Sequence, residues 1–88
     1  MPSPVFIDKN VPSVSFIPEK SSSSEPIILE RAELEAMRLV DLEGLSQEEA
    51  GEKMGISRGT IWRLLQEARR KTTTALSEGS RIDIRSEE

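Results

Sequence analysis

Residues 45–65, LSQEEAGEKMGISRGTIWRLL, read as two short helices joined by a tight turn, and that reading decides the fold. Ser46 is placed as an N-cap, and Glu49, three residues on, completes a capping box. The first helix of the pair runs to about Met54, where Gly55 supplies a residue that tolerates positive φ without steric cost. Ile56 follows as an apolar plug, and Ser57 offers a second N-cap before Arg58, Gly59 and Thr60 open the next helix. Ala50, Met54, Ile56, Ile61 and Leu64 have the spacing that packs two such helices together. The outer face of the second helix is left with Arg58, Gly59, Trp62, Arg63 and Gln66. This is the pattern of a helix-turn-helix, whose second helix enters a DNA major groove, where Arg and Gln suit base edges.

Each of these residues has a plainer reading beside the DNA one. Arg58 and Arg63 either reach guanine, a contact that discriminates by about 1–3 kcal/mol, or pair with Glu67 or with acids of the neighbouring helix. Trp62, the only tryptophan, either meets the DNA backbone or a thymine methyl, or folds down onto the edge of the core. Ser46, Gln47, Ser57 and Thr60 lie near helix N-termini, where hydroxyls and free N–H groups hold phosphate oxygens. Capping alone also accounts for Ser46 and Ser57. Lys53, Arg69, Arg70 and Lys71 are expected phosphate contacts of low individual specificity, set against the alternative of a solvated charged face.

The run LSQEEAGEKMGISRGTIWRLLQEARRK resembles the helix-turn-helix of the sigma-factor region-four class. The longer run ELEAMRLVDLEGLSQEEAGEKMGISRGTIWRLLQEARRK is similar to a family of small, uncharacterised, predicted DNA-binding proteins of bacteria and archaea. The resemblance covers residues 33–85 and implies DNA binding, without supplying a promoter or a pathway. That family carries several cysteines in its N-terminal segment. This chain has none, so no metal or redox role carries over. A second departure is Gly51, where such motifs carry alanine at the close contact between the helices. Glycine fits that contact and costs the helix about 1 kcal/mol relative to alanine.

Composition narrows the field further. Eighty-eight residues allow one small domain. Without cysteine or histidine, the common zinc sites and histidine-based catalysis are excluded, and no glycine-rich phosphate loop is present. No cofactor and no metal are expected, and an enzyme is not. No apolar run reaches the length of a membrane span and the N-terminus lacks a signal-peptide pattern, so a cytoplasmic protein with no membrane partner is expected. The formal net charge of −4 is unevenly spread. Residues 30–52 hold eight acids against Arg31 and Arg38, a local −6, whereas residues 57–71 hold five bases against Glu67, a local +4. The basic cluster coincides with the expected recognition helix and its continuation.

Outward from the motif, residues 31–43 read as a helix, with Leu34, Met37 and Val40 at helical spacing and Ala36 and Leu39 widening the stripe. Glu33 and Glu35 suit its early turns, and the carboxylates of this helix are expected on a solvent face. Beyond Arg58 the series Ile61, Leu64, Leu65, Ala68, Thr72, Ala75, Leu76 holds one face until Gly79, a helix of about 30 Å. Pro26-Ile27-Ile28-Leu29 and Arg81-Ile82-Asp83-Ile84-Arg85 read as short strands able to pair within a chain or across a dimer. Residues 1–20 carry four prolines, with Val5-Phe6-Ile7 and Val14-Ser15-Phe16-Ile17 as extended pieces, either a loose arm or one that docks on a partner subunit.

The expected architecture is mainly α: a three-helix helix-turn-helix domain of the sigma region-four kind at 25–85, with short flanking β-strands. An extended N-terminal arm and Ser-rich linker occupy 1–24 and a short tail 86–88. The expected function is sequence-specific binding of double-stranded DNA by a transcriptional regulator, acting as a homodimer because one such motif binds weakly. The alternative is a protein-interaction module of the transcription machinery that docks on RNA polymerase or another regulator.

Overall fold

The computed structural model describes residues 5–7, 9, 11–20 and 25–85, so the expected Ser-rich linker at 21–24 and the tail at 86–88 lie outside the described residues. The structure is mainly helical with a small three-stranded sheet, in the order β1 (Val14–Phe16), β2 (Ile27–Ile28), α1 (Arg31–Met37), α2 (Gln47–Met54), α3 (Arg58–Glu78) and β3 (Ile82–Ile84). A π-helical segment, Arg38–Leu42, continues α1.

Both N-caps of the central stretch form as the sequence predicts. Ser46 Oγ accepts from the Glu49 amide at 3.0 Å, and Glu49 Oε1 accepts from the Ser46 amide at 2.9 Å, the reciprocal pair of a capping box. Ser57 Oγ accepts from the Thr60 amide at 3.1 Å. Gly55, between the helices, has φ 72 and ψ 30, the left-handed conformation that glycine adopts without penalty.

Gly51 has a stronger reason to be glycine than the sequence suggests. A Cβ at this position would stand 2.7 Å from the backbone oxygen of Ile56 and 3.6 Å from both the Arg58 nitrogen and the Ile61 side chain. The carbonyl of Gly51 meanwhile accepts from the Ile56 amide at 3.0 Å. The turn therefore folds directly onto the α2 backbone, and alanine is sterically excluded from a place where the sequence reading allows it.

Two apolar clusters hold the helices. Ala36, Leu39, Ala50, Met54 and Ile61 are buried together, with Val40, Leu45, Ile56 and Leu64 packed at their edge. Leu29, Ala68 and Ile84 form the second, flanked by Val11, Leu34, Met37 and Ile82. Along α1 and its π-helical continuation the deepest apolar residues are thus Ala36 and Leu39, which the sequence reading puts at the margin of the stripe. The helix lies between the two clusters and uses both sides.

Three expectations are corrected. Residues 38–42 are π-helical, with the Glu43 amide donating to the Arg38 carbonyl at 2.9 Å. Hydrophobic period does not separate this wider winding from an α-helix, and side-chain ties hold it: Arg38 bonds Glu35 and Glu43, and Asp41 bonds Arg69. Glu33 and Glu35 are buried rather than solvated. Glu33 Oε1 accepts both the Glu30 amide at 3.0 Å and the Lys71 ammonium at 2.8 Å, and Glu35, 2% exposed, accepts two N–H bonds from Arg38. Leu76, assigned to the packed face of α3, is 78% exposed, because at that end of the helix the packing reaches Ala75 and stops short of the next side chain.

The strands pair within one chain. β3 lies in the middle of the sheet, antiparallel to β1 with Ser15 opposite Asp83, and parallel to β2 with Ile27 opposite Ile82. Ser15 Oγ donates to Asp83 Oδ1 at 2.8 Å, and Arg81 Nε donates to the same oxygen at 2.7 Å. Part of the N-terminal arm therefore folds onto its own domain. The Phe6 amide reaches the Met54 carbonyl at 3.0 Å and supplies a hydrogen bond at the end of α2.

Replacing Gly51 by alanine tests the close contact. Alanine gains about 1 kcal/mol in helix propensity, but the 2.7 Å contact with a backbone atom forces the turn apart. A net loss of about 1–2 kcal/mol is expected, read as a lowered midpoint in urea denaturation. An unchanged or raised midpoint contradicts the contact.

Candidate nucleic-acid interface

The face of interest belongs to α3, whose first turn is fixed by the Ser57 cap and whose inner side is anchored by Ile61, Leu65, Ala68 and Ala75. At about 100° per residue, Arg58, Gly59, Trp62, Arg63 and Gln66 fall within one arc of about 140° that begins beside the buried stripe and turns away from it. All five are exposed. Trp62 is 53% exposed, so of its two sequence readings the structure takes the outward one. A tryptophan this open to water on a charged helix is the kind of apolar surface that a partner covers.

The bases divide into two groups. Among the described residues, Arg58 and Arg63 have no carboxylate within ion-pair distance. Glu67, the expected rival partner of Arg63, is taken by Arg70 instead, at 2.7 Å and 3.3 Å. Arg69 makes two bonds to Asp41 of the π-helical segment, at 2.8 Å and 3.1 Å. These N–H bonds hold the Asp41 and Glu67 carboxyls below their ordinary range and raise the guanidinium pKa of Arg69 and Arg70 in turn. Both arginines remain at the surface, where such pairs contribute little and exchange readily.

Lys71 stands apart. Its ammonium donates to Glu33 Oε1 at 2.8 Å and to the Ile28 carbonyl at 2.9 Å, tying α3 to the start of α1 and to β2. It lies on the packed side of α3, away from the arc of Trp62. The sequence reading grouped Lys71 with Arg69 and Arg70 by adjacency, and its angular position on the helix separates it.

Near the turn, Ser46 and Ser57 are engaged as caps, and Thr60 Oγ1 lies 3.0 Å from Ser57 Oγ. Gln47 is half-buried and Lys53 exposed, both on α2. Four features were missed in sequence. They are the Asp41–Arg69 tie, the Glu33–Lys71 pair, the Arg38 bridge and the exposure of Leu42. Only the first had a visible signal, in the local surplus of acid beside the basic run.

Among the described residues, no helix is long and apolar enough to cross a membrane. A family model described as "Protein of unknown function DUF134" matches residues 3–88. The chain is 54% identical over 68 residues to a UPF0251 protein of Pyrococcus abyssi, a match taking in 77% of this chain and 62% of the relative. It is 44% identical over 70 residues to a UPF0251 protein of Archaeoglobus fulgidus, covering 80% of this chain and 67% of that one. A UPF0251 protein of Clostridium novyi is 47% identical over 81 residues, covering 90% and 53% respectively. The chain therefore spans 62% of the Pyrococcus relative's length. No solved structure matches.

The open position of Trp62 has a direct optical consequence. In the folded protein its emission is expected to resemble that of a solvated indole and to be quenched readily by acrylamide. Trp62→Ala is expected to change stability by no more than about 0.5 kcal/mol, as for other surface substitutions. Shielded, blue-shifted emission together with a large stability loss on substitution contradicts the outward placement.

Proposed function

Because the chain belongs to the family described as Protein of unknown function DUF134, which carries no assigned activity, its role rests on its own chemistry, and we propose that it binds double-stranded DNA through the outer face of α3 and acts as a transcriptional regulator. In this reading α2 and α3 are a helix-turn-helix and α3 is the recognition helix. The observation that carries the reading is the exposed arc of Arg58, Gly59, Trp62, Arg63 and Gln66. Its two arginines have no carboxylate partner among the described residues, and its tryptophan is uncovered. Arg58 and Arg63 suit guanine edges, Gln66 suits adenine, and Trp62 suits a thymine methyl or the sugar-phosphate wall. Gly59 leaves room for close approach of the helix to the groove.

Phosphate contacts follow from the same pose. The hydroxyl and amide groups at Ser46, Gln47, Ser57 and Thr60 flank the groove, and Lys53, Arg69 and Arg70 supply charge. Asp41 and Glu67 then act as stand-ins for phosphate that DNA displaces from Arg69 and Arg70. One such motif with so few free bases binds weakly, so two copies reading half-sites about 10 bp apart, or a multiple, fit better than one.

The neutralisation of Arg69 and Arg70 by carboxylates favours a second reading, a protein-interaction module that docks on RNA polymerase or another regulator. One titration separates the two. Fluorescence anisotropy with random-sequence duplex DNA, at low and moderate salt, is expected to show binding that weakens steeply with salt. The triple substitution Arg63→Ala, Arg69→Ala, Arg70→Ala is expected to lose it, and Asp41→Asn, which frees Arg69, to tighten it by up to about fivefold. Absence of binding at low salt, or binding indifferent to the triple substitution, removes the DNA reading.

A further inference from the structure

Away from the arc, an apolar surface that no other described residue covers lies where β1 meets the C-terminal end of α3. Phe16, Ile17, Ala75, Leu76, Gly79 and Ile82 line a shallow groove of about 290 Å³ there. Phe16 is 59% exposed, Ile17 64% and Leu76 78%. No charged side chain lines the groove, in a chain that is 32% charged and carries a net −4. Beside it, β1 is an edge strand, and no strand lies on its outer side among the described residues.

We infer that this surface is the contact between two copies of the chain. Three observations select a second copy as the occupant. Net-negative copies repel one another over most of their surface, and the uncharged groove is where two can meet at least electrostatic cost. Strand β1 can pair antiparallel with its own copy about a two-fold axis, the arrangement that a self-complementary interface requires. Apolar side chains and strand pairing together build toward the roughly 800 Å² per subunit of a stable dimer, which the groove alone does not reach.

A fourth argument is spacing, and it rests on the DNA reading. Trp62, at the centre of the proposed reading face, lies fourteen residues before Leu76 on the same helix, or about 21 Å along it. A dyad beside Leu76 sets the two reading faces at most about 42 Å apart, and a tilt of the helices brings them to the roughly 34 Å between successive major-groove faces. A long α3 then has a use over its whole length: its first half reads, its middle packs, and its end spaces the pair.

The test uses the full chain, which has no cysteine, so single thiols report cleanly. Sedimentation velocity across micromolar concentrations is expected to show a dimer for the native protein and a monomer for Leu76→Glu, with an unchanged helical circular-dichroism spectrum. With a short thiol crosslinker, Leu76→Cys is expected to form linked dimers about tenfold faster or more than Leu42→Cys, an exposed control outside the groove. A native monomer at every concentration, a Leu76→Glu variant that stays dimeric, or equal crosslinking of the two thiols overturns the interface. Duplex-DNA anisotropy on the same native sample keeps the questions apart. A monomer that binds DNA overturns the interface and leaves the DNA reading intact, whereas a Leu76-linked dimer that binds none supports the interface and removes the DNA reading.

Discussion

The backbone contact at Gly51 is the constraint on which the rest of the structure depends. The turn of Gly55, Ile56 and Ser57 lies so close to α2 that no side chain fits at position 51, and the Ile56 amide returns to the Gly51 carbonyl. That closeness fixes the angle at which α3 leaves the turn. Ile61 is thereby driven into the cluster of Ala36, Leu39, Ala50 and Met54, and the arc of Arg58, Trp62 and Arg63 must then face outward. A propensity penalty of about 1 kcal/mol in α2 is the consequence of the approach, which alanine would prevent.

Charge is segregated by the same helix geometry. The acidic first half of the domain sits beside α3 and engages two of its bases, Glu33 with Lys71 and Asp41 with Arg69, while Glu67 of α3 itself engages Arg70. The first of these is buried and structural, because removing either partner strands a charge between α1 and α3. The other two are at the surface and exchangeable. Arg58 and Arg63, at the start of the helix, lie beyond the reach of these acids. The start of α3 therefore carries two arginines without an ion-pair partner among the described residues, even though the whole chain is negative.

Much of this was legible in the sequence because it is local. The caps at Ser46 and Ser57, the end of α3 before Gly79 and the strand character of residues 26–29 and 81–85 all follow from short-range chemistry. What escaped depends on contacts distant in the chain. The central place of β3 brings residue 15 to residue 83, and nothing in either strand alone dictates that order. Glu33 reads as a surface acid until Lys71, thirty-eight residues on, is laid over it. The π-helical winding of 38–42 spans only five residues, too few for its wider period to show in the hydrophobic pattern. Gly51 read as a tolerated exception because its obstacle is a backbone oxygen, which no residue pattern displays.

In the proposed function the outer face of α3 meets DNA while the acidic helix does not. Nuclear magnetic resonance of the amide-labelled protein, titrated with a random-sequence duplex at low salt, addresses it residue by residue. The expected result is a set of shifted amides confined to residues 57–70 and the start of α2, together with the indole N–H of Trp62, while α1 and the sheet stay unmoved. Shifts centred on α1 and residues 38–43, or none at any duplex concentration, contradict it.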